Sequence, residues 1–313
     1  MLLVACLFGI GLTSGAQAAD KVVVIPLSGK SMQNVVTVAK GGGRFTDPVA
    51  AMDSISDASA TNPYLLLIGP GQYTLTSTLV MKEYVDVAGS GENVTLLTGA
   101  FSNSGATTAS AIVSGAKHTT ISNLSIKNIG GSKTYSLGVY NYYLDISTRM
   151  IQVNITATGG ATSNMGVYNV HSPQLIMQNV SAIASGSPVN YGIYNNSSSI
   201  IITNSNVLVW GGTTNNYGIY NSGSTPVIEG CDVYAYNGDG GDYGVYNSSS
   251  DNVKIRRSTI SGDTDGLYNL TSSNTIVSQS TIIHGVSGGG YTCPGSDDNL
   301  GHILTPATCV IAP

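Results

Sequence analysis

The sequence predicts an all-β chain folded as a single right-handed parallel β-helix, a solenoid of about nine coils with a short helix capping its N-terminal end. Three observations carry this expectation. A four-residue unit, Gly-aliphatic-Tyr-Asn, begins at Gly138, Gly166, Gly192, Gly218, Gly244 and Gly266, so successive spacings are 28, 26, 26, 26 and 22 residues. Self-similarity at such a period is the mark of a stacked array in which each unit lacks a core of its own and shares one with its neighbours. Between the units run alternating segments such as "SIIITNSNVLVW" and "QLIMQNVSAI", rich in β-branched residues and cornered by Gly or Asn, which reads as short strands and turns and excludes helical repeats. Finally, only 9% of the 313 residues are charged while 39 are Gly. Average soluble domains carry about 25% charged residues, and a Gly-, Ser- and Asn-padded β chain accounts for the shortfall.

Taken in order, the chain divides into four parts. Residues 1–18 read as a signal peptide: an apolar run ends in Ala16-Gln17-Ala18, a small-x-small cleavage pattern, although no Lys or Arg precedes the run. "LVAC" ending at Cys6 resembles a lipoprotein box, but its short lead-in argues against a lipid anchor. The expected location is therefore outside the cytoplasm, secreted, periplasmic or on the cell surface, with no membrane span in the mature chain. Residues 19–60 hold a strand and the capping helix. Asp47-Pro48 supplies N-cap and first-turn chemistry, and Val49, Met52 and Ile55 give the helix an apolar stripe. Such a cap covers strand edges that an open first coil would expose.

Residues 61–290 are the repeats. In each unit the aliphatic residue (Val139, Val167, Ile193, Ile219, Val245, Leu267) is assigned inward. Tyr140, Tyr168, Tyr194, Tyr220, Tyr246 and Tyr268, one step on, then face outward in a column. Tyr191, Tyr217 and Tyr243 share the phase of the aliphatic and are expected inside. Asn123, Asn154, Asn179 and Asn204 recur at similar places and are expected to form an amide ladder in a tight turn, broken by Gly230 and Arg256. Residues 291–313 form a C-terminal cap in which Cys293 and Cys309 are expected to pair, as an oxidising compartment permits. Cys231 is left as a small buried filler.

The repeat looks like the pectin-lyase superfamily of secreted β-helices. Its N-terminal part, "GRFTDPVAAMDSI", "LLLIGPGQYTL" and "YVDVAGSGENVTLLTG", resembles the opening of pectin methylesterase-type proteins, specifically over Gly43 to Gly99. That resemblance implies a helix cap, a Gly-x-Tyr strand and a Gly-Ser-Gly turn closing the first coil. It also implies carbohydrate chemistry, yet the catalytic segments of the family are not matched. Ser104 to Asn154 holds a single acidic residue, Asp145, where pectin methylesterases place two Asp, two Gln and an Arg. "DD" at Asp297, "GH" at Gly301 and "KIR" at Lys254 stand in the wrong order for a polygalacturonase.

Two candidate sites remain. Asp239, Asp242, Asp263 and Asp265 fall in the turns before adjacent units and are expected to converge on one patch. Hard oxygen ligands in a Gly-rich loop suit Ca²⁺, a carboxylate pair suits acid–base work on a glycosidic bond, and turn chemistry alone also selects Asp and Gly. Arg256 lies nearby, and Glu229 is expected to pair across coils with the Lys254–Arg257 run. The tyrosine column is the second site. Stacked tyrosines stabilise a solenoid by themselves, and flanked by Asn, Ser and Thr they also make a platform for an uncharged polysaccharide. The net charge of −5 with 12 scattered basic residues argues against nucleic acid. No cofactor other than Ca²⁺ is expected. The leading expectation is a non-catalytic secreted or surface protein that binds polysaccharide or cell-surface glycan along the tyrosine face. A divergent pectin lyase-, esterase- or hydrolase-like enzyme using the aspartates with Arg256, and a purely structural rod or adhesin, are the alternatives.

Overall fold

The structure is a computed structural model and describes residues 34–270, 274–307 and 309–310. The predicted signal peptide and Cys6 lie outside the described residues. Strands run parallel throughout the coils and stack into a right-handed solenoid of about ten turns, the handedness that parallel crossover connections almost always take. The count exceeds the expected nine because the first strand, Asn34–Val38, opens a coil that pairs onward with Tyr64–Ile68 before the nine-stranded sheet begins.

The helix α1, Pro48–Asp53, closes the N-terminal end. Asp47 caps it, its carboxylate accepting from the Val49 backbone N–H at 2.9 Å, and Pro48, Ala51 and Met52 are buried. Ile55 joins them in the core while Val49 is only partly covered. At the far end Cys293 and Cys309 form the disulfide, and Cys231 is free and buried. No helix among the described residues is long and apolar enough to cross a membrane.

Each full coil contributes one strand to a nine-stranded sheet and one long or two short strands to a larger sheet. The larger sheet folds along a column of residues with positive φ: Asn123, Gln152, Asn179, Asn204, Gly230, Arg257 and Gln279. Asn and Gly tolerate this left-handed conformation best, which is why Asn recurs there. The expected ladder is corrected here. Gln152, not Asn154, stands in this column, since Asn154 is in register with Ser125 and Ser181, and no amide-to-amide bond joins the column. Just after the bend, inward Ser205, Ser258 and Ser280 take hydrogen bonds on Oγ from the backbone N–H of the preceding coil. Cys231 occupies the same step of that series, so it replaces a serine and is more than filler.

The amide ladders lie elsewhere. Asn141, Asn169, Asn195, Asn221, Asn247 and Asn269, the last residues of the repeated units, all point inward and are buried. Each of the first five donates Nδ2–H to Oδ1 of the next at 2.8–2.9 Å. A shorter ladder runs from Asn164 through Asn190 and Asn216 to Asp242. Buried amides are stable only when paired, and a repeat one coil long supplies each with its partner.

Candidate functional site: the outer tyrosine face

The glycine of each unit sets the geometry of the site. In the inter-coil ladder the register steps from Tyr191 to Ile193 and from Tyr217 to Ile219, with Gly192 and Gly218 left between paired positions. Gly192 and Ile193 are both buried, so the inward–outward alternation shifts by one at this point. A Cβ on Gly192 would sit 2.7 Å from the Gly218 carbonyl oxygen of the next coil, and one on Gly218 would sit 2.4 Å from that of Gly244. Only glycine permits this approach.

The shift turns Tyr191 and Tyr194 to the same side. Tyr191, Tyr217 and Tyr243 are therefore not inside, as simple alternation predicts, but form a second outward column beside Tyr194, Tyr220 and Tyr246. Rings within the second column stack at 5.1 and 5.6 Å with interplanar angles of 15° and 13°. The first column runs from Tyr140 through Tyr168, Tyr194, Tyr220 and Tyr246 to Tyr268, with centroids 4.8–5.8 Å apart. The columns interlock edge-to-face, for example Tyr217 on Tyr220 at 5.0 Å and 75°. Both arrangements are favourable for aromatic quadrupoles. All nine rings are half-exposed. Burial raises the phenols of Tyr140, Tyr191, Tyr194, Tyr217, Tyr243 and Tyr246, those of Tyr194 and Tyr246 to about 12, so these groups stay uncharged at neutral pH. Beside it the outward positions Asn196, Ser222 and Ser248 stand in register, offering neutral hydrogen-bonding groups.

The strip has unlike ends. Towards the N-terminus the second column continues as Leu137 and Met165, which are buried against Ala111 with Ala106 and Tyr135 packed over them. Towards the C-terminus it ends at Asp265, in register with Tyr243 and bonded through Oδ2 to the Ser287 hydroxyl at 2.7 Å.

The four aspartates do not share one patch. Asp242 is 2% exposed and ends the shorter amide ladder, its Oδ1 accepting from Asn216 at 2.8 Å and its Oδ2 from the Gly238 N–H. Asp239 and Asp263 are exposed, Asp263 accepting from the Asn237 N–H at 3.0 Å, and Asp265 is half-buried. Among the described residues no group of three or more His, Cys, Asp or Glu side chains is placed to hold a metal ion. Arg256 is exposed and in register with Glu229, but the ion pair with Glu229 is made by Arg257, whose left-handed backbone turns its side chain back to the previous coil.

One carboxyl group was not singled out from the sequence. Asp86, half-buried on the outer face of the larger sheet, accepts from the Thr120 N–H at 2.6 Å. Desolvation pushes its pKa up to about 6, against smaller opposing effects of the Thr120 hydrogen bond and the Arg149 charge. Thr120 is in register with Arg149, and Tyr84, two residues before Asp86, stacks on His118 at 4.7 Å.

No protein-family model matches the sequence, and no curated protein matches it either. Solved structures do resemble it. A DFA-IIIase from Arthrobacter chlorophenolicus A6, in complex with DFA-III, superposes with a TM-score of 0.55 at 11% identity, covering 85% of this chain and 76% of that one. Pectin methylesterase from carrot gives 0.54 at 13% identity, covering 87% and 85%. ORF18 of Geobacillus virus E2 gives 0.52 at 12% identity over 84% of this chain, which spans only 60% of that protein. The shared feature is the fold, a parallel β-helix. At these identities the likeness is one of architecture, and the β-helix expected from the repeats is the fold observed.

Proposed function

We propose that this β-helix protein binds an extended, uncharged polysaccharide along its outer tyrosine face. The observation that carries the reading is the double column of nine half-exposed rings, held in place by the glycine-induced shift and flanked by neutral polar side chains. Aromatic faces present large rigid apolar area with little conformational entropy to lose, which suits the flat faces of sugar rings. Solved relatives of the fold that act on sugars support the ligand class, and the Cys293–Cys309 disulfide supports an extracytoplasmic setting.

A second reading, a divergent carbohydrate-active enzyme, has a specific observation behind it. Asp86 holds its proton nearly to neutrality beside Arg149, and a carboxyl group so perturbed is the kind that serves acid–base chemistry. The expected aspartate patch is a weaker basis, because Asp242 lies inside the solenoid.

One experiment separates these readings. Purified protein is screened against fructans, cellulose- and xylan-derived oligosaccharides and polygalacturonate, with and without EDTA, reading both binding and product release. Binding of neutral glycans is expected to survive EDTA and to weaken about ten- to hundredfold in Tyr194→Ala/Tyr220→Ala, the equivalent of ~1–3 kcal/mol for two half-buried rings. Binding unaffected by the double variant overturns the tyrosine reading. Turnover on any member of the panel favours the enzyme.

A further inference from the structure

The same face has a chemistry that does not depend on a bound ligand. Six phenols, from Tyr140 to Tyr268, form an unbroken series in which each ring lies within 5.8 Å of the next, and the second column touches it at Tyr191, Tyr217 and Tyr243. Tyr246 meets Tyr220 at 5.0 Å, Tyr268 at 4.8 Å and Tyr243 at 5.1 Å, while the exposed pair Tyr142 and Tyr143, 4.5 Å apart, lies beyond the columns. These rings are half-exposed and open to oxidants. The only tryptophan, Trp210, is stacked on Tyr236 in another strand series, and Cys231 is buried, so neither stands between an outside oxidant and the array.

We infer that the outer tyrosine array is a site of oxidative phenol coupling, in which a one-electron oxidant generated from a peroxide joins tyrosines of neighbouring coils through a ring carbon–carbon bond. Each of two phenols gives up one electron and its hydroxyl proton. The two radicals combine at carbons ortho to the oxygens, and the hydrogens on those carbons move to oxygen to restore the phenols. The pair has lost two hydrogens in all, and one hydrogen peroxide molecule takes up the two electrons and two protons to become two waters. In most proteins exposed tyrosines are isolated, and coupling waits for two molecules to collide. Here the partner ring is already in contact, and such pre-positioning is worth many orders of magnitude in effective concentration. Parallel stacking separates equivalent carbons, whereas the tilted and edge-on pairs, such as Tyr243 with Tyr268 at 58°, bring ring edges towards a neighbour and need less rotation. Every link between adjacent coils is a covalent staple along the axis.

The test exposes dilute protein to hydrogen peroxide with a haem peroxidase and, separately, to a small photo-oxidant driven by persulfate, which reaches surfaces a protein oxidant does not. The monomer is isolated by size exclusion, then read for dityrosine emission, loss of two hydrogens per link, peptide-mapped linkage and melting temperature. A monomeric product is expected, with links between residues of the Tyr217–Tyr268 region and a raised melting temperature. Tyr220→Phe/Tyr246→Phe, which keeps the rings and so the packing, is expected to lose at least half of the emission. Links only between molecules, links confined to Tyr142 and Tyr143, absence of dityrosine under both oxidants, or emission unchanged in the folded double variant would each overturn the inference.

Discussion

At the scale of single residues, Asp86 gives the sharpest pH dependence. Its carboxyl is raised to about 6 in the folded chain by desolvation, against an ordinary value of about 3.9. The folded state therefore binds more protons than the unfolded chain between roughly pH 4 and 6, and stability falls as pH rises through that window. Asp86→Asn keeps an acceptor for the Thr120 N–H and removes the charge. Urea midpoints measured at pH 4 and pH 7 should fall between the two for the wild type and show less decline for the variant. Asn221 provides a second case. It donates to Asn247 and accepts from Asn195 with no solvent nearby. Asn221→Ala leaves two buried groups unpaired and should destabilise by roughly 2–5 kcal/mol in urea unfolding. Sequence periodicity alone could find these asparagines but not choose between columns, because Asn123 and Asn141 both recur once per coil. The inward aliphatics were legible because hydrophobicity reports burial directly. Asp86 was not, since its hydrogen-bond partner Thr120 lies 34 residues away and meets it only when the coils stack.

Among the elements, the strand carrying Gly-aliphatic-Tyr-Asn shows what alternation can and cannot reveal. Its strand character and inward aliphatic followed from pattern. The side taken by Tyr191 did not, because the glycine changes the phase without leaving a trace in the hydrophobic alternation. That same glycine makes a strong prediction. Gly218→Ala places a methyl group 2.4 Å from both the Gly244 carbonyl oxygen and Val233 Cγ1, so the coils must part or the strand must rotate. The substitution should lower the melting temperature, with a loss of ~1–3 kcal/mol as in other overpacked cores, and hydrogen exchange should show the change centred on the neighbouring coils. The helix cap was the most legible element, since Asp47, Pro48 and the apolar stripe are local signals. The Arg257 ion pair was the least, because it depends on a backbone conformation that Arg seldom adopts.

For the whole molecule, stability is a sum over coils and their interfaces, as in other solenoids. Asn195 and Asn221 are 26 residues apart and equivalent, so removing residues 196–221 joins Asn195 to Ser222 with the register preserved. The shortened chain should fold cooperatively, keep the circular dichroism of a β-helix, and be shorter by one strand spacing, ~4.8 Å, in solution scattering. It also removes Tyr217 and Tyr220, so any glycan bound along the strip should be held less tightly in proportion to the lost rings. The overall architecture was readable because repetition averages local ambiguity over many coils. The column from Tyr140 to Tyr268 was readable for the same reason, whereas the second column, Tyr191, Tyr217 and Tyr243, needed the structure, since the glycine turns it outward without altering the pattern.

The inner amide ladders have a direction. In both, each ladder bond runs from a side-chain N–H to an acceptor oxygen in the next coil towards the C-terminus. Their dipoles therefore add along the axis, as peptide dipoles do in an α-helix, with the positive pole towards the C-terminal end. The shorter ladder terminates there on Asp242, the one carboxylate in the series, and the longer on the Gly289 carbonyl oxygen. The solenoid is thus electrically polar as well as repetitive, and the order of its coils cannot be reversed without turning a buried attraction into a repulsion.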